Sequence, residues 1–297
     1  MMGAMILFGS SLFFLYALPR TGPGSALASR WARPMLIASA AAVLGADILG
    51  LLAQTIVLAG SVQDGLKFDA LSSVITDMSF GKSSLVRAAT AVLFIVAFTF
   101  TKPSQRGWWF ATLAGGVVCA SFAWMGHGAA TEGAGGLLHL SSDIFHTLAA
   151  AVWIGALVAF LILLLTDGRQ SDVEREALHR ALHGFSGVGS GLVAVLVATG
   201  LINSWFVIGL AGILRLWTTA YGQLLTLKII LFLGMVGLAA ANRFHLTPRL
   251  RGALDARSPT RGAIAALRRS LVLETGISIA VLALVAWFGT LAPPSVP

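Results

Sequence analysis

An all-α fold, a polytopic membrane bundle of eight transmembrane helices, is what this sequence predicts, on three observations. Of its 297 residues 57% are hydrophobic and 11% charged, with a mean hydropathy of +0.87, whereas a soluble domain carries about 25% charged residues. The apolar residues gather into runs near the length a helix needs to cross hydrocarbon, about 20 residues. Most Lys and Arg residues fall between those runs, and they crowd into alternate connections.

The runs predict helices over 2–18, 35–60, 85–101, 108–125, 138–165, 185–209, 220–241 and 270–291. The first has no cationic leader and no small-x-small cleavage site, so it is expected to be a retained span rather than a signal peptide. Arg20, Arg30 and Arg33 follow the first run, Lys102 and Arg106 the third, and Arg169, Arg175 and Arg180 the fifth. Arg243, Arg249, Arg251, Arg257, Arg261, Arg268 and Arg269 follow the seventh. The positive-inside bias assigns these connections to the cytoplasm and both termini to the opposite, outer side. The chain is expected to divide into a four-helix half with an outer cap loop, 1–136, and a second half, 137–297.

The same bias accounts for the net charge of +8, and no nucleic-acid role is assigned. Cys119, the single cysteine, lies inside an apolar run, which excludes a disulfide framework and a thiolate cluster. Any metal must be held by nitrogen, oxygen or thioether. Gly81-Lys82-Ser83 ends like a phosphate-binding loop, but Thr76 stands where its first glycine belongs, so nucleotide-driven pumping is not expected and no catalytic residues are assigned. Between residues 61 and 84 a partly ordered cap is expected. Ser171-Asp172-Val173-Glu174 reads as a capping box that starts a helix at Asp172. Gly187 and Gly191 form a small-xxx-small pair expected to allow close helix packing.

The fifth run opens with His139, Asp143 and His146, spaced four and three apart, so that with Trp153 they share one stripe of a helix. Below them, Trp153, Leu157 and Leu161 read as packing. A carboxylate between two imidazoles in a hydrocarbon-length helix is costly unless something binds there. The fourth run ends in Met125-Gly126-His127-Gly128 at the same face, where flanking glycines let the chain turn. His127, His139, Asp143 and His146 therefore form a candidate metal site near the outer surface. Nitrogen and oxygen ligands suit divalent copper or zinc, and Met125 adds a soft donor for monovalent copper.

Other polar residues fall in apolar runs. Asp47 shares a face with Gln54, Lys228 lies seven residues after Tyr221, Glu274 lies near the start of the last run, and Arg87 starts the third. Asp47, Tyr221, Lys228 and Glu274 are candidates for a polar path. The competing expectations are a salt bridge between Asp47 and Lys228, a pairing of Glu274 with Arg268 or Arg269, and Arg87 snorkelling to the headgroups. His179 and His183, four apart, and His245 stand on the inner side, as a release site or simply a solvated helix face.

The segments SSDIFHTLAAAVWIGAL, ATGLINSWFVIG, TTAYGQLLTLKIILF and AANRFHLTPRL, in that order and preceded by Gly126-His127, resemble the membrane domain of the copper resistance protein D (CopD) family. The resemblance covers about half the chain. It implies a multi-pass protein of the bacterial inner membrane that takes copper from the periplasm toward the cytoplasm, beside a small periplasmic copper-binding partner of the CopC type. On the resemblance, Gly126-His127, Asp143 and His146 match the family's outer elements, and Tyr221, Gly222, Lys228, Asn242, Arg243 and Glu274 its later ones. His139 is less clearly part of the pattern. The segment after Phe80-Gly81 lacks the expected tryptophan, so the cap receives no function. Two other functions are weighed against transport. One is a haem-binding redox protein, with His127, His139 and His146 at one level and His179, His183 and His245 at the other. The second is a copper sensor or docking platform through which nothing passes.

Overall fold

The computed structural model describes residues 1–17, 31–100, 104–126, 129, 131, 133–165, 172–213, 216–256, 258–289 and 291. Eleven α-helices occur among them: α1 (Met2–Tyr16), α2 (Ala32–Ala59), α3 (Val62–Gly65), α4 (Phe68–Asp77), α5 (Ser79–Phe100), α6 (Gln105–Ser121), α7 (Gly136–Leu165), α8 (Asp172–Ile213), α9 (Ala220–Ala241), α10 (Thr247–Asp255) and α11 (Arg261–Phe288). A 3-10 turn, Phe122–Met125, prolongs α6, and one π-helical turn, Asn242–Leu246, joins α9 to α10. No strand occurs among the described residues.

Seven of these helices are long and apolar enough to cross a bilayer, which makes this a multi-pass helical membrane protein. The apolar α1 has 15 residues and reaches about 22 Å at 1.5 Å per residue, short of a hydrocarbon core of about 30 Å. Several helices begin earlier than hydropathy predicts. α5 starts at Ser79 and α11 at Arg261, because their first turns are polar yet still helical. α8 does start at Asp172 and is broken into two helical stretches where Gly209 adopts φ +61°; Ser171, the first residue of the capping box, lies outside the described residues.

The helix ends follow from local chemistry. Ser104 accepts from the Gly107 N–H at 3.1 Å and Thr219 from the Gly222 N–H at 3.2 Å, each satisfying an amide that a helix start leaves open. Gly60, at φ +75°, closes α2 in the left-handed region. Beyond it the predicted partly ordered cap is helical. Ser61 caps α3, and the Lys67 ammonium at 2.6 Å, with the Ser61 hydroxyl at 2.7 Å, holds the Asp64 carboxyl below its usual range.

α7 is the axis of the bundle and the most buried of the long helices; α1, α6, α8 and α11 pack around it. The α1 crossing is the closest approach. A Cβ on Gly155 would lie 2.3 Å from the Gly9 carbonyl carbon, and one on Gly9 would lie 1.9 Å from the Ala151 oxygen. Ser10 Oγ donates to the Gly155 carbonyl at 2.9 Å across the same contact. This corrects the expectation for Gly187 and Gly191. Both stand on an exposed face of α8 with open space beside them, so the small-xxx-small contact uses Gly9 and Gly155 on other helices. Around α7 the largest apolar cluster includes Phe13, Trp153, Leu157, Phe160, Leu163 and Leu267.

Candidate metal site

The start of α7 places His139, Asp143 and His146 on one face, as their spacing predicts. Their surroundings differ. His146 packs against α8, where its Nδ1 lies 2.9 Å from Thr199 Oγ1. That hydroxyl has one hydrogen and already donates it to the Val195 carbonyl at 2.6 Å. With that hydrogen on Val195, the hydroxyl accepts from His146 Nδ1, and this is the tautomer that keeps the Nε2 lone pair available. Ser142, one turn earlier, donates to the Thr199 carbonyl at 3.1 Å, so two side chains of α7 clamp the same residue of α8.

Asp143 faces the end of α6. A Cβ on Gly126 would lie 3.2 Å from Asp143 Oδ2, so glycine there lets the carboxylate approach the backbone. Lys228, part-buried on α9, interacts electrostatically with both Asp143 and His146. The structure thus brings Asp143, His146 and Lys228 of the predicted set into one electrostatic neighbourhood, which Asp143 joins to Gly126. His139 is turned elsewhere. Its ring stacks on Phe206 at 4.8 Å and 8°, and Nδ1 lies 2.7 Å from Thr131 Oγ1. Among the described residues no group of three or more His, Cys, Asp or Glu side chains could hold a metal together. His127 lies outside the described residues.

Three expectations from the sequence, two pairings and one snorkelling arginine, are corrected. Asp47 does not pair with Lys228: it binds Arg87 and accepts from Ser84 Oγ at 2.9 Å. Arg87 does not snorkel. It is 2% exposed, spans from Asp47 to Ser121, lies over the Phe122 ring at 4.1 Å and reaches Met125 Sδ at 3.0 Å. Charge neutralisation inside the bundle wins over a reach to water because a serine and a carboxylate are already within range. Met125, the soft donor expected for monovalent copper, thus meets a guanidinium. Glu274 does not pair with Arg268 or Arg269, which are exposed. It accepts from Trp153 Nε1 at 2.7 Å and Asn242 Nδ2 at 3.1 Å.

Trp153 therefore holds a carboxylate as well as packing in the core. Tyr221 is buried at the start of α9. Further along α7, Glu274, Asn242 and Trp153 border a cavity of about 280 Å³ that Phe160, Phe185 and Arg243 also line. Arg243 there donates to the Ser186 carbonyl at 3.2 Å and to Ser190 Oγ. The π-helical turn begins at Asn242, and the extra residue it accommodates helps present Asn242 and Arg243 on the same side. Of the three histidines expected on the inner side, His179 is buried, whereas His183 and His245 are exposed. Sequence reasoning missed Thr199 and Phe206; a threonine in the run VLVATGL was the available signal for the first.

Two sequence families match the chain. The one described as "Copper resistance protein D-like, N-terminal domain" matches residues 1–137, and "Copper resistance protein D" matches residues 179–288. The chain is 34% identical over 292 residues to "Copper resistance protein D" of Pseudomonas syringae pv. tomato, across 97% of this chain and 93% of that protein. It is 34% identical over 170 residues to "Inner membrane protein YebZ" of Escherichia coli (strain K12), across 57% of this chain and 54% of that protein. "Copper transport protein CutJ" of Bacillus subtilis (strain 168) is 31% identical over 223 residues, across 73% of this chain and 38% of its own length. No solved structure matches the chain significantly.

Proposed function

Because this chain belongs to the copper resistance protein D family and is a multi-pass protein of the inner membrane, we propose that it captures copper from the periplasm and passes it toward the cytoplasm. In this reading α1 is the eighth span, both termini face the periplasm, and the start of α7 lies at the outer surface. Asp143 and His146 take the ion, with His127 completing the set and His139 at its rim. The metal is the transported substrate. Tyr221 and Lys228 border the route inward, and a small periplasmic copper-binding protein of the CopC type delivers the ion.

One observation carries the reading: Thr199 holds His146 through Nδ1, which leaves Nε2 free to face an ion, one helical turn from a carboxylate. A histidine held through its other nitrogen is the usual arrangement at metal sites. Lys228 gives Asp143 a counter-charge before the ion arrives, and an incoming copper cation takes over that role. The ammonium is then repelled, which provides a physical trigger for release along the route.

The test uses His146→Ala in purified protein and in cells. Copper bound per chain and copper accumulated by cells should both fall; unchanged values in both would remove His146 from the site. Flux into proteoliposomes separates a carrier from a docking platform, because a platform binds copper without moving it. A stoichiometric Soret band in the absorption spectrum would replace the copper reading with the haem one.

A further inference from the structure

The copper reading leaves Glu274 without a task. Its side chain is 2% exposed in a helix of the membrane-spanning bundle, where a bare carboxylate is expensive and marks a functional group by default. Its hydrogen-bond partners, Trp153 Nε1–H and Asn242 Nδ2–H, are both neutral. Among the described residues, charged groups on the surrounding elements are committed or remote. α7 carries no Asp, Glu, Lys or Arg between Asp143 and Leu165. On α8 the polar residues of an otherwise apolar cavity wall are Ser186 and Ser190, with His179 and His183 further toward the start of the helix. Arg243, beside Asn242, is held by those two serines. Arg251 of α10 pairs with Asp255, and Arg249 of α10 and Arg268 and Arg269 of α11 are exposed.

The cluster is also short of hydrogen-bond donors. Asn242 Oδ1 is buried and has no hydrogen-bond partner among the described residues. Next to it, the carboxylate uses two of roughly four acceptor positions. A buried acceptor without a donor costs about 1–3 kcal/mol, so something carrying a hydrogen or a positive charge belongs there. The adjoining cavity of about 280 Å³ is walled mostly by apolar side chains, but along its edge of Ser186, Ser190, Arg243 and Glu274 a water of about 30 Å³ finds polar partners.

We infer that Glu274 is a proton-binding site, exchanging its proton with water in this cavity, and that copper movement is coupled to that exchange. The coupling rests on the transport reading above; the proton site does not. In the step, the O–H bond of the Glu274 carboxyl breaks, the proton passes to a cavity water, and the electron pair stays on the carboxylate, which Trp153 and Asn242 hold through their N–H groups. The reverse step takes a proton from hydronium. α7 joins the two sites. Trp153 follows His146 by seven residues on the same face, roughly 10 Å along the axis, so a shift of α7 on copper binding alters the contact that holds Glu274.

The test uses the full chain in proteoliposomes, with copper ions and a pH-sensitive dye, together with infrared difference spectroscopy of the protonated-carboxyl C=O stretch. In the unsubstituted protein copper should shift that band and copper entry should move protons. In Glu274→Gln, which keeps the shape of the protonated acid, both signals should be lost while copper bound per chain is unchanged. Trp153→Phe should keep the band but displace it, which guards against a Gln variant that fails to fold. A band absent from the unsubstituted protein, or one that survives Glu274→Gln, overturns the proposal. Loss of one bound copper in Glu274→Gln also overturns it, by making Glu274 a metal ligand. A copper-sensitive carboxyl band without any copper flux supports the proton site and defeats the transport reading alone.

Discussion

Thr199 and Arg87 act through single atoms. With its one hydrogen committed to Val195, the Thr199 hydroxyl orients His146; Thr199→Val preserves the shape and removes the acceptor. Copper affinity should fall about 10–100-fold, as is usual when the outer partner of a metal-binding histidine is lost, with helical content unchanged by circular dichroism. Thr199→Ser should restore binding. Arg87 and Asp47 neutralise each other where water cannot. Removing either strands a buried charge, which costs about 3–5 kcal/mol. Asp47→Ala and Arg87→Ala should each lower the unfolding midpoint in detergent, and the double variant should lose less than the two combined. The position of His146 on its helix face was legible from spacing, whereas Thr199 was not, because it lies far along the chain and only the approach of α8 to α7 brings it near.

Among the helices, the α1–α7 crossing separates two kinds of glycine. Any side chain at Gly155 collides with the backbone of Gly9, and backbone cannot move aside as a flexible side chain can. Gly155→Ala should therefore destabilise the protein by at least the roughly 1–3 kcal/mol typical of overpacking, read as a lower midpoint in thermal unfolding. Gly187→Ala and Gly191→Ala face open space and should be tolerated, each adding up to about 1 kcal/mol of helix propensity. The small-xxx-small pattern is a property of one helix. Which helix arrives to use the gap depends on its neighbours, and here the gap of Gly187 and Gly191 stays open.

For the whole molecule, the orientation carries the most consequence, since it decides which solution meets the start of α7. Cys119 is buried, so it gives little background to labelling by impermeant thiol reagents. Asp69→Cys, in α4 of the cap, should react in cells whose outer membrane alone has been opened. Arg251→Cys, in α10, should react only after the inner membrane is opened as well. The reverse pattern would turn the bundle over and place Asp143 and His146 against the cytoplasm.

By itself the sequence determined that this is a multi-pass helical membrane protein, where its long helices run, which family it belongs to, and that His139, Asp143 and His146 share a face. These are sums over single helices: hydropathy, spacing and charge counts need no partner. Only the tertiary structure decided that Asp47 meets Arg87, that Glu274 is held by Trp153 and Asn242, that His139 turns to Phe206, and that Gly9 rather than Gly187 makes the close contact. A buried polar group takes the nearest group able to satisfy it, and nearness across a bundle is set by how helices cross.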